Sequence, residues 1–182
     1  MIHYDTKKYS SDYKVHQTLN KDGRLKKEAE YVGSKYVFAL SGETRLPLAR
    51  KFFFAGILGW AAYLLPLATR NHLSNVVFCI LPHVCTAIPL WFLFHGIFQA
   101  AFSPEPLIRE KADKAFSHLR YGTATALVFS ALAVLGALVW GIFLSHGNLA
   151  GGDYLFFLCD CYLLVFSILA FRHQDLCRTE PV

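Results

Sequence analysis

The side chains best able to do chemistry in this chain fall in two apolar stretches. VVFCILPHVCTAIPLWFLFHGIFQAA, from Val76, carries Cys79, His83, Cys85 and His95, and YLFFLCDCYLLVFSILAF, from Tyr154, sets Asp160 between Cys159 and Cys161. A carboxylate in hydrocarbon costs a few kcal/mol, so it persists where it has a partner or a job. His83 is the candidate partner. An imidazole and a carboxylate that meet can share a proton or form an ion pair, and their titration then belongs to the couple. Such a pair suits a proton- or ligand-handling site; it equally suits a polar tie between helices, with Asp160 close enough to the interface to be partly hydrated.

The four cysteines Cys79, Cys85, Cys159 and Cys161 lie at one level, while Cys177 lies beyond the last apolar stretch and is expected to stay reduced. In arrangement only, this layout is similar to membrane thiol oxidoreductases that pass electrons from disulfides to quinone. Those enzymes carry Cys-x-x-Cys, whereas Cys159 and Cys161 are two apart and point to opposite sides of a helix. A disulfide would have to join the two stretches. The plainer reading is that buried cysteine is a small apolar filler. Cys79 and His83 share a helix face, so a metal site with Asp160 and Cys159 or Cys161 opposite is conceivable, yet no spacing demands one. His83 and His95 are about 18 Å apart along one helix, too far to ligate one haem iron. His95, His118 and His173 fall near one end of their helices. No resident metal and no cofactor is expected.

These residues must be positioned by membrane helices. Of 182 residues, 54% are hydrophobic and 17% charged, which is well to the apolar side of soluble domains. Apolar runs at about 52–69, 76–101, 121–144 and 154–171 are each long enough for roughly 20 helical residues to cross about 30 Å of hydrocarbon. His83 lies seven residues past Val76 and Asp160 six past Tyr154. At about 1.5 Å per residue, both sit roughly 10 Å inside the same boundary if the second and fourth spans run in the same direction.

Their direction follows from the basic residues. Positions 1–51 hold eleven Lys and Arg, the second connection four, and the two other connections one and none. The asymmetry predicts cytoplasmic termini and a cell (plasma or inner) membrane location. The five-charge surplus of positions 1–51 fits an anionic inner leaflet, and no nucleic-acid signature accompanies it. No cleavable leader is expected, since the first fifty residues are polar.

Pro82 and Pro89 should kink or open the second span near Cys79 and Cys85. Ala133, Ala137 and Gly141, and likewise Ala55 and Gly59, are small residues at four-residue spacing and predict close helix packing. A short surface helix is expected around Leu107, Ala112 and Phe116. In the basic extension, a turn at Asp22-Gly23 and a break at Gly33-Ser34 predict a three-stranded meander over 13–19, 24–32 and 35–40.

The expected fold is an all-α four-transmembrane-helix bundle (50–174) with a small cytoplasmic β-rich N-terminal extension (1–49) and a short tail (175–182). Phosphate-loop, nucleophile-elbow, HExxH, dinucleotide and kinase signatures are all missing from the sequence. The expected function is that of a non-enzymatic accessory subunit, working as a homo-oligomer or with other membrane subunits, or of a small transporter-like protein. Thiol-disulfide exchange is the alternative.

Overall fold

A computed structural model describes residues 9–19, 25–144 and 149–182. Among these residues, five α-helices build the bundle: α1 (Gly42–Ala68), α2 (Val77–Cys85), α3 (Ala87–Phe102), α4 (Arg109–Val139) and α5 (Gly151–Arg172). They form four helical stretches long and apolar enough to cross a membrane, Gly42–Ala68, Val77–Phe102, Arg109–Phe143 and Gly151–Arg172. Large apolar side chains on their outer faces, among them Phe54, Leu58, Val77, Trp91, Ile142 and Leu158, are exposed. In water these would be aggregation-prone patches; in a bilayer they meet acyl chains.

The second span is broken as its prolines require, at one place rather than two. Pro89 has no N–H for the carbonyl of Cys85, and the helix is interrupted at Thr86, whose N–H donates to the carbonyls of Pro82 and His83 (both 3.1 Å). Near Cys79 the helix stays continuous. Pro82 frees the Phe78 carbonyl there, and α4 comes close to it at Gly136, where a Cβ would lie 2.7 Å from Phe78 O.

Glycines set the tightest crossings, and they are mostly not those the four-residue pattern singles out. A Cβ on Gly122 of α4 would lie 2.5 Å from the backbone nitrogen of Leu93 in α3, and one on Gly96 of α3 would lie 2.9 Å from that of Leu119 in α4. Without a hydrophobic gain between helices in lipid, such approach is what holds them together. Ala133 and Ala137 are buried as expected, but a Cβ on Gly141 would meet nothing within 4 Å. Gly122→Ile is therefore expected to force α3 and α4 apart, at a cost of about 1–3 kcal/mol or more, visible as a lower thermal midpoint in detergent; an unchanged midpoint would refute the close crossing.

The extension is not a three-stranded meander. β1 (Tyr13–Leu19) and β2 (Leu25–Tyr31) form an antiparallel two-stranded ribbon, with Tyr13 opposite Tyr31 and Leu19 opposite Leu25; the turn signal at Asp22-Gly23 lies outside the described residues. β3 (Lys35–Phe38) leaves that ribbon and forms the centre of a second sheet, between β4 (Leu107–Ile108) and β5 (Thr179–Pro181). The segment after Phe171 is thus no loose tail: Leu176 and Cys177 are buried, and β5 pairs with β3. The expected surface helix is not separate either. α4 begins at Arg109 and continues unbroken into the third span, because REKADKAFSHLR has high helix propensity and no proline to stop it. It ends in a π-helical turn, Trp140–Leu144. The bundle therefore has a sheet end, where β3, β4 and β5 meet, and a loop end, carrying the connections that precede α2 and α5.

Candidate functional site

α1, α2 and α5 bring three polar groups together inside the bundle. His83 Nδ1 lies 2.7 Å from Asp160 Oδ1, and its Nε2 lies 3.0 Å from the carbonyl oxygen of Tyr63. Both side chains have no exposed surface to speak of. The Tyr63 ring stacks on the imidazole at 5.0 Å and 5° between planes, and Phe156 closes another side at 4.9 Å. A main-chain acceptor, the Tyr63 carbonyl, thus lies beside the imidazole.

The hydrogen bonds fix much of the protonation. A carbonyl only accepts, so His83 Nε2 carries a hydrogen. One further proton sits between Nδ1 and Oδ1, giving either imidazolium and carboxylate or imidazole and carboxylic acid. Either way the pair is neutral overall. Asp160 Oδ2 is buried and has no hydrogen-bond partner among the described residues. Unsatisfied buried oxygens are rare enough to need a reason.

Cys79 and Cys159 are buried and Cys85 and Cys161 half-buried around this pair, and all four are free thiols. Among the described residues, no group of three or more His, Cys, Asp or Glu is placed to hold a metal ion. Toward the sheet end, His95 and His118 face each other at 2.9 Å between their Nδ1 atoms, while His173 packs on Phe52 instead.

A second pair at the loop end escaped the sequence reading. Asp153 accepts from the backbone N–H groups of His72 (2.6 Å), Leu73 (3.2 Å) and Ala150 (2.8 Å). Its Oδ2 lies 3.0 Å from His72 Nδ1. With three backbone donors it is held as a carboxylate, so the imidazole nitrogen donates as well. Asp153 is 2% exposed, whereas the His72 side chain is 59% exposed. The one available signal was an acid in the first turn of an apolar helix, where backbone N–H groups lack helical partners.

Comparison with family models, with curated proteins and with solved structures finds no match.

Also missed was the lock at the sheet end. Arg45, 4% exposed, pairs with Glu105 and lies 3.9 Å over the Phe38 ring. Glu105 Oε1 also accepts from the Phe38 N–H at 3.3 Å. Beside it, Cys177 Sγ lies 3.2 Å from the Gly96 carbonyl oxygen. Burial pushes the Cys177 thiol up to about 12, with the nearby Arg45 charge pulling the other way. It is therefore protonated around neutral pH, and the thiolate is the reactive form. An alkylating reagent at pH 8 should leave Cys177 unmodified in the folded protein and modify it after unfolding; rapid native labelling would contradict this packing.

Proposed function

We propose that this chain is a small polytopic membrane protein of transporter-like, non-enzymatic character, whose His83–Asp160 pair takes up and releases a proton. The observation that carries this reading is Asp160 Oδ2, buried without a partner beside a proton already shared with His83. A purely structural tie would satisfy both carboxylate oxygens, as Asp153 does. An interrupted helix at the pair adds support, since transport sites favour broken helices near the membrane interior. In this reading the sheet end and both termini face the cytoplasm, where the basic extension lies against an anionic leaflet.

A second reading has its own observation. The pair and the Tyr63 carbonyl bind α1, α2 and α5 to one another with no exposed surface, as expected of a rigid accessory subunit working with a second copy or with other membrane chains. Thiol exchange would require a disulfide between α2 and α5, and trapping one by mass spectrometry would establish it.

Sealed vesicles containing the purified chain and an internal pH dye separate the first two. With an imposed pH gradient, the wild type is expected to dissipate it faster than protein-free vesicles, and Asp160→Asn to behave as protein-free. A wild type no faster than empty vesicles would overturn the transport reading and leave the accessory one.

A further inference from the structure

Asp153, Phe156 and Asp160 lie on one face of α5, at spacings of three and four residues, and all three are buried. At about 1.5 Å per residue, the two carboxylates are roughly 10 Å apart along the helix. Each faces a histidine of the chain before or within α2, so two His–Asp pairs are stacked from the loop end inward, with the Phe156 ring between them. That ring packs against Leu73 and Cys79 and lies 4.9 Å from His83. The first pair is open to its surroundings: the His72 side chain is 59% exposed, and Asp153 lines a cleft of about 280 Å³ with Leu73, Gly141 and Phe157. Toward the sheet end, Asp160 is followed by a buried apolar layer of Leu90, Leu163 and Phe166.

We infer that His72 and Asp153 form the proton entry site for His83–Asp160, with Phe156 as the barrier between the two pairs. The inference rests on the proton-handling reading above. In the transfer, a hydronium ion from solvent first protonates His72 at Nε2, and the Asp153 carboxylate, 3.0 Å from Nδ1, holds the resulting imidazolium. When the Phe156 ring moves aside, water admitted between the two pairs takes the Nε2 proton and delivers one to Asp160 Oδ2, the oxygen without a partner. His72 is then neutral again, its Nδ1–H still donated to Asp153, and the inner pair has gone from neutral to singly cationic. The other titratable groups around the inner pair are Tyr63 on α1, Cys79 and Cys85 on α2, and Cys159 and Cys161 on α5. None connects it to water at the sheet end.

The test is a pH jump on the outside of vesicles holding the full chain, followed by time-resolved infrared absorption of the Asp160 carboxyl group, identified by its loss in Asp160→Asn. His72→Asn keeps an amide donor for Asp153 and so the fold of the loop, checked by hydrogen exchange at the Leu73 N–H, while removing the titratable ring. It is expected to slow the Asp160 response at least tenfold, and Phe156→Ala to speed it. A His72→Asn response as fast as the wild type's would overturn the entry route while leaving the proton-handling reading in place. If Phe156→Ala is no faster, the barrier is not that ring. A wild type whose Asp160 never responds would instead overturn the reading on which the route stands.

Discussion

His83→Ala is expected to be among the most destabilising single substitutions in the bundle, by about 3–5 kcal/mol, because it leaves the Asp160 carboxylate buried without its partner. It also strips the Tyr63 carbonyl of its imidazole donor and the Tyr63 and Phe156 rings of the surface they stack on. The double substitution His83→Leu with Asp160→Leu should recover most of this loss, since replacing a buried pair by apolar groups of similar size is often neutral. Thermal midpoints of His83→Leu, Asp160→Leu and the double, measured in one detergent, give the coupling. Additive effects would mean that the two side chains do not interact. The cycle also separates stability from function, because the double variant is expected to fold and to move no protons.

The second large effect lies at the sheet end. Glu105→Ala should cost a similar amount, about 3–5 kcal/mol, by leaving the almost fully buried guanidinium of Arg45 uncompensated. The damage should be local in a recognisable way. Glu105 also accepts from the Phe38 N–H, and Phe38 anchors the central strand of the sheet that joins the extension, the second connection and the C-terminal segment. Amide exchange should therefore rise first at Ala39, bonded to Arg178, and at Val182, bonded to Lys35. Protection retained at both amides would show that the ion pair is not what closes this end.

How much of this could be read from the sequence depended on whether a feature was local. The His83–Asp160 contact was legible because a fixed helical rise converts residue counts into depth, and because a buried carboxylate calls for a partner. The interruption at Thr86 was legible from Pro89, whose missing N–H acts at a set distance along the chain. The strand register was not. β3 had the pattern of a third meander strand, but its partners come from positions 107–108 and 179–181, and two- and three-residue strands leave no periodicity to read. The break expected before the third span failed for another reason: a change from polar to apolar residues marks the membrane boundary, while only proline or glycine chemistry would have marked the end of a helix. Asp153 was hidden because its partners are backbone N–H groups of a loop, which have no signature in residue type.

Whether Asp160 exchanges its proton in the folded protein decides between a proton-handling site and a fixed tie. Infrared absorption of the chain in lipid bilayers across the pH range in which it stays folded reads this directly, with Asp160→Asn assigning the carboxyl band. The expected result is a band, absent from that variant, whose intensity follows pH. An Asp160 signal that is the same from the acid to the alkaline limit would contradict it and identify the His83–Asp160 pair as a fixed tie between helices.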